Sequence, residues 1–293
     1  MLAGIYPATL TMFDARGRVD LGLTREHVDR LVSDGAHGIV ATGTSGEFIA
    51  LSDKERLQVI ASVVRAVNGR VPVLASTGAY STAHTIALTT AAADADADAA
   101  LVILPYYQRP SRAEIMWHFE EVAKATSIPL LVYNNPANSA APALSADDLG
   151  ALYREGLASG VKSTFPSVHQ VHEALASTDD GFRVFYGSFM APLEALAGGA
   201  RGWISGLLNV TVKPAVTLWT AIQDSDLVAA RSAWSAILPI RDLYTKRVFG
   251  EVSDLALYRA ILRAQGFDTG RCRPPMLDLP PDAIPRLQRF LAQ

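Results

Sequence analysis

Short apolar runs rich in β-branched residues alternate along this chain with longer stretches whose apolar positions recur at helical spacing. The short runs predict strands at Gly4–Met12, Gly38–Ala41, Val71–Ser76, Ala100–Leu104, Pro129–Tyr133, Leu157–Lys162, Arg183–Tyr186 and Gly202–Ile204. Helical periodicity falls between them at Thr24–Asp34, Asp53–Val67, Thr82–Ala93, Arg112–Thr126, Val168–Ala176 and Ala191–Ala197. Ser52 with Glu55, and Ser111 with Glu114, read as capping boxes at two of the helix starts. Residues 94–99, DADADA, end one helix and turn into the next strand. Eight strands, each followed by a helix or a helix-sized segment, predict an α/β fold, the (β/α)8 TIM barrel. After about residue 210 the strand pattern stops, and Val212–Ile222, Leu227–Lys246, Asp254–Gln265 and Asp282–Leu291 read as helices separated by Gly and Pro clusters. The expected organisation is a barrel over residues 1–224 with a C-terminal helical extension, residues 225–293, packed on it.

Composition narrows this picture. A chain of 293 residues suits such a barrel with additions, and 49% apolar with 19% charged residues describes a globular protein. A net charge of -3 gives no electrostatic reason to expect nucleic acid or an anionic membrane as partner. The single cysteine, Cys272, cannot form an internal disulfide, which suits a reducing compartment. The first residues, MLAGIYPATLTMF, lack a basic lead, and no uninterrupted apolar run reaches the ~18 residues of a membrane span, so the cytoplasm is the expected location.

In a barrel of this kind chemistry sits at the carboxyl ends of the strands. The sixth expected strand ends in Lys162, a charged side chain at the close of an apolar run. Lysine is almost never fully buried unless paired, so Lys162 is either half of a buried ion pair or a working amine. The second strand leads into Gly43-Thr44-Ser45-Gly46-Glu47, where close backbone approach and adjacent hydroxyls can hold a carboxylate. The fourth ends in Pro105-Tyr106-Tyr107 and the fifth in Tyr133-Asn134-Asn135-Pro136. The seventh and eighth end near Gly187-Ser188 and Ile204-Ser205. An amine, phenols and hydroxyls at one barrel mouth suit imine chemistry: the neutral amine attacks a carbonyl and the imine becomes an electron sink. Burial supplies the neutral form by disfavouring charge, and a phenol with a hydroxyl relays protons. Metal-assisted chemistry would need converging ligands, and the six histidines do not assemble at strand ends; His169 and His172 share a helix behind the strand. No Walker loop or dinucleotide fingerprint follows a strand. Neither metal nor organic cofactor is expected.

Four motifs in order, GTSGE at Gly43–Glu47, PYYQRP at Pro105–Pro110, YNNP at Tyr133–Pro136 and GVK at Gly160–Lys162, resemble the dihydrodipicolinate synthase / N-acetylneuraminate lyase family of class I pyruvate aldolases. The resemblance implies that Lys162 forms a Schiff base with pyruvate or a related 2-oxo acid, with Tyr133 as the proton-transferring phenol. It implies that Thr44 links Tyr133 to a Tyr107 supplied across a subunit interface, in a homotetramer built as a dimer of dimers. Thr44 and Ser45 would hold the 2-oxo acid carboxylate, and the backbone at Gly187 and Ile204 would line the site.

Asn138 stands where the synthases carry an arginine that clamps the aldehyde partner's carboxylate, and an amide cannot make that bidentate charged contact. Ser188 and Phe189 replace acidic residues with which sialate lyases bind sugar hydroxyls. The resemblance with these departures implies a Schiff-base lyase or aldolase whose second, aldehyde-type substrate is smaller or more apolar than aspartate semialdehyde or a sugar acid. 4-Hydroxy-tetrahydrodipicolinate synthase activity proper, and dehydratase or deaminase chemistry on a 2-oxo acid, remain as alternatives. A barrel that binds 2-oxo acids without catalysis is a further one.

Overall fold

The computed structural model describes residues 2–292. Among them, eight parallel strands form the barrel: β1 (Gly4–Pro7), β2 (Ile39–Ala41), β3 (Val73–Ser76), β4 (Ala99–Ile103), β5 (Leu130–Asn134), β6 (Gly160–Ser163), β7 (Arg183–Tyr186) and β8 (Gly202–Ser205). Their order is β1-β8-β7-β6-β5-β4-β3-β2, and the seam between β1 and β2 closes through the Ala8–Val40 bridge. The helices that alternate with them are α1 (Leu21–Ser33), α2 (Asp53–Val67), α3 (Thr82–Asp94), α4 (Arg112–Ala125), α5 (Ala146–Arg154), α6 (His169–Ala176), α7 (Pro192–Ala197) and α8 (Leu208–Gln223). This is the expected TIM barrel.

Alternation of side chains along each strand creates two cores. Tyr6, Val40, Leu74, Leu101, Leu131, Phe185 and Ile204 point inward and fill the barrel. Ile5, Ile39, Ala100, Val132, Val161, Val184 and Trp203 point outward under the helices. Burying one such aliphatic side chain stabilises by roughly 1.5–3 kcal/mol. The helix starts follow the anticipated chemistry: the Ser52–Glu55 and Ser111–Glu114 capping boxes both form, reciprocally.

Three elements differ from the sequence reading by four residues or more. The first strand ends at Pro7, not Met12, because side chains take over its backbone partners: Leu10 N–H donates to Asn209 Oδ1 at 3.2 Å and Met12 N–H to Thr24 Oγ1 at 3.2 Å. Helix α5 lies where no helix was expected; Ser145 caps it in a box whose third residue is Asp148, not Glu. Helix α8 starts at Leu208, four residues before Val212, across a kink at Thr211 that hid the first turn from a periodicity search.

Three further helices, α9 (Leu227–Thr245), α10 (Asp254–Ala264) and α11 (Ala283–Leu291), follow the barrel. Helix α9 lies along α8, and α10 packs against both α8 and α11. Among the described residues no helix is long and apolar enough to cross a membrane.

Candidate active site

Strands β5 and β6 run parallel with Tyr133 opposite Lys162. Both side chains point into the barrel, and Lys162 is only 6% exposed. Lys162 Nζ stands 3.9 Å from the centre of the Tyr133 ring. Gly187, just past β7, makes room for the lysine: a Cβ there would come within 3.0 Å of Lys162 Cε and Cγ. Ile204 shares the inner core with Tyr133.

The Tyr133 phenol is wholly buried, which by itself pushes it up. The Lys162 charge, with Asn135 bonded to the oxygen and Thr44 and Lys162 close to it, outweighs burial and holds the phenol below its ordinary range. Asn135 makes the well-formed bond, with Nδ2 donating to the phenol oxygen at 2.9 Å. Thr44 Oγ1 is near but has no aligned partner among the described residues. Asn134, between the two, faces the other way and clips the β5 loop to Leu144, donating to Leu144 O at 2.8 Å and accepting from Leu144 N at 3.2 Å.

Thr44 and Ser45 sit on a tight loop after β2, flanked by two residues in the left-handed region, Thr42 (φ 53) and Glu47 (φ 55). Each such residue costs on the order of 1–3 kcal/mol, so other contacts hold the loop. Thr11 Oγ1 donates to Gly46 O at 2.7 Å. The Glu47 carboxylate accepts from Arg259 Nη2 at 2.5 Å and from the Arg273 N–H at 2.8 Å. Arg259, on α10, is itself 0% exposed and also donates to Thr11 O at 2.6 Å and Thr269 O at 2.7 Å. Arg273 adds a pair to Glu55, with Nη2 to Oε1 at 2.6 Å. The C-terminal segment thus fixes the loop that carries Thr44 and Ser45. Ser45 Oγ in turn packs where any side chain on Gly206, after β8, would have to stand.

Two expected site residues lie elsewhere on this chain. Tyr107 is 78% exposed, edge-on to Tyr80 at 6.5 Å. Asn138 lies on the exposed turn of the β5 loop. The sequence reading did not single out Glu47, Arg259 or Asn135 for these roles. Arg259 left a trace: it interrupts a run of α10 that is otherwise apolar and buried on every side, Leu255–Leu262. His169, considered with His172 as a ligand pair, bonds Glu173 at 3.0 Å instead. Among the described residues no group of three or more His, Cys, Asp or Glu converges to hold a metal.

The profile of the dihydrodipicolinate synthetase family matches residues 1–293. A 4-hydroxy-tetrahydrodipicolinate synthase of Pseudomonas aeruginosa is 32% identical over 100% of this chain and 98% of its own length. One from Methanopyrus kandleri is 33% identical over 99% of this chain and 95% of its own. Among solved structures, YagE, a prophage protein of the dihydrodipicolinic acid synthase family from E. coli K12 in complex with pyruvate, superposes with a TM-score of 0.92 at 28% identity, covering 100% of this chain and 98% of that one.

Proposed function

This chain belongs to the dihydrodipicolinate synthetase family, whose members are lyases of the aldolase type, and from that premise we propose that Lys162 forms a Schiff base with pyruvate or a related 2-oxo acid. The observation that carries this reading is the buried Lys162 amine 3.9 Å from the Tyr133 ring, with no carboxylate paired to it among the described residues. The amine nitrogen adds to the keto carbon, the carbinolamine loses water, and a protonated imine results. Tyr133 oxygen then takes a proton from the neighbouring carbon; the electron pair moves into the imine and leaves an enamine, which attacks an aldehyde-type partner. Run backwards, the same steps cleave the bond. Thr44 and Ser45, on the loop held by Glu47, bind the 2-oxo acid carboxylate, and Gly187 and Ile204 line the site.

Borohydride added with pyruvate should fix a stable adduct on the peptide carrying Lys162. Intact mass unchanged under conditions that label a control aldolase would sink the reading.

Residues 1–224 form the catalytic barrel in this proposal, and 225–293 the extension that braces it. The assembly is a cytoplasmic homotetramer in which Tyr107 serves a neighbouring subunit. Supporting this, Tyr107 and Tyr80, exposed at 78% and 57%, meet edge-on at 6.5 Å, and Tyr106 packs at a tilt against Tyr80 at 4.4 Å. The second substrate is smaller or more apolar than aspartate semialdehyde: Asn138 carries no charge, and Phe189, two residues past Gly187, packs edge-on against Tyr244 at 5.7 Å. The names of the relatives favour 4-hydroxy-tetrahydrodipicolinate synthase activity as a second reading. Turnover of pyruvate with aspartate semialdehyde, compared with turnover using uncharged aldehydes, decides between them.

A further inference from the structure

We infer that Asn135 is a positioning residue for Tyr133, whose side-chain amide keeps the phenol oxygen supplied with a hydrogen-bond donor so that Tyr133 works as the base at the carbon next to the imine. The inference rests on the Schiff-base reading and deepens it.

The strand geometry puts Asn135 in place. Asn135 follows the last residue of β5 and its side chain turns back to Tyr133, while Asn134 faces the other way and is consumed in clipping the loop at Leu144. Asn135 is buried, and its Nδ2 donates to the Tyr133 oxygen at 2.9 Å. Its carbonyl Oδ1 is also buried and has no partner among the described residues. A buried amide with one polar atom left unpaired is unfavourable where an aliphatic side chain of similar size would carry no such penalty. Packing alone therefore does not account for an asparagine here; the bond to Tyr133 does.

The consequence is chemical. A phenol oxygen that accepts hydrogen bonds from neighbours is stabilised as phenolate, and bonds to a charged acceptor are stronger than neutral ones. Of the three groups gathered at this oxygen, Asn135 donates the formed bond, Lys162 contributes its charge, and Thr44 stands near it. Only Asn135 among the three lacks a separate proposed contact with the 2-oxo acid, so its loss isolates the effect on the base. In the step concerned, the carbon–hydrogen bond next to the imine breaks, the proton goes to the Tyr133 oxygen, and the bonding pair enters the enamine.

The test needs pyruvate alone. In deuterated water the enamine picks up deuterium, so methyl exchange of pyruvate followed by NMR against pH reports the base directly. Asn135→Leu removes the donor, and the limb of the profile that rises with pH should move to higher pH by roughly one to two units, from the strength of a hydrogen bond to a charged group. Asn135→Asp keeps the shape but sets an acceptor against the phenol oxygen, and should move the limb further in the same direction. Borohydride trapping of both variants with pyruvate shows that Lys162 and the fold around it are intact. Profiles of N135L and N135D that superimpose on the wild type overturn the role of Asn135 while leaving the Schiff base standing. A wild-type protein that neither traps nor exchanges pyruvate overturns the underlying reading instead.

Discussion

Two basic side chains buried at the mouth of this barrel, Arg259 and Lys162, are treated in opposite ways. Arg259 is enclosed by acceptors: the Glu47 carboxylate, Thr11 O and Thr269 O, with the Phe13 ring 5.1 Å away. Lys162 has a phenol and the face of its ring at 3.9 Å, and no carboxylate among the described residues. A buried charge that has all its partners is fixed in the structure, since removing one partner strands the other. A buried amine lacking a counter-ion is not tied up by an acceptor, and once it gives up its proton its nitrogen can add to a ligand. Saturation of partners therefore separates the residue that shapes the site from the one proposed to react in it.

The largest effect expected from this contrast lies at Lys162. Replacement by methionine should abolish borohydride trapping and lower turnover by about 10³-fold or more, while the melting temperature holds or rises because an unpaired polar group has left the core. A melting temperature that collapses in Lys162→Met would show that the lysine is a structural partner after all, and the contrast would fail.

Next in size is the Arg259–Glu47 pair. Glu47→Gln or Arg259→Met should each destabilise by about 3–5 kcal/mol, measured by denaturant unfolding, because the surviving charge is left buried. The double variant should lose less than the two single losses combined, and a double-mutant cycle with no coupling would contradict the pairing. Turnover should fall in the single variants even well below their melting temperatures, since the loop bearing Thr44 and Ser45 loses its brace.

This pair also marks where the sequence stops being readable. Lys162 was legible because its context is local: one charged residue closing an apolar run on a strand whose end the fold assigns to chemistry. The clamp was not, since Arg259 and Glu47 are 212 residues apart and nothing local announces that they meet. Asn135 was hidden for a different reason, because YNNP reads as one motif and only the folded end of the strand gives its two asparagines separate tasks. Helix α5 escaped because its cap uses Asp148 in place of the glutamate expected in a capping box. Strand periodicity carried the barrel, and side-chain takeover of backbone partners set the limit on strand ends.

Tyr107 tests the contrast from outside the core. Being exposed at 78%, its replacement by phenylalanine should change stability by less than about 0.5 kcal/mol. If it serves a neighbouring subunit's proton relay, turnover should still fall by about 10²-fold. Mixed oligomers of Tyr107→Phe and Lys162→Met chains should regain activity, because some sites then draw an intact lysine from one chain and an intact tyrosine from another. Failure of the mixture to recover would place Tyr107 outside the relay.

The smallest effect sharpens the comparison with buried bases that stay neutral. His27 is enclosed beneath the β1 loop, bonded through Nε2 to Asn209 Oδ1 at 2.7 Å, and burial pushes it down to about 3. His118, beside Thr82 at 3.0 Å, is pushed down to about 4, also by burial. Their ordinary value is 6.5. As pH falls below that value the unfolded chain takes up protons that the folded one refuses, so stability drops with falling pH, by up to ~1.4 kcal/mol per pH unit for each histidine. Glu55, held at about 2 by Arg273, stays ionised throughout the fold's working range, and its own linkage falls below its ordinary 4.5. Between about pH 6 and 4.5 the histidines set a stability that falls with falling pH, with half-buried His37 shifted the same way by burial, while Asp254, whose carboxyl burial pushes up, works in the opposite sense. His27→Gln, which retains a donor for Asn209, should flatten the dependence of unfolding free energy on pH in that window by about 1 kcal/mol per unit. An unchanged slope would mean that His27 accepts its proton in the folded state, and that burial without a counter-ion does not keep a base neutral in this protein.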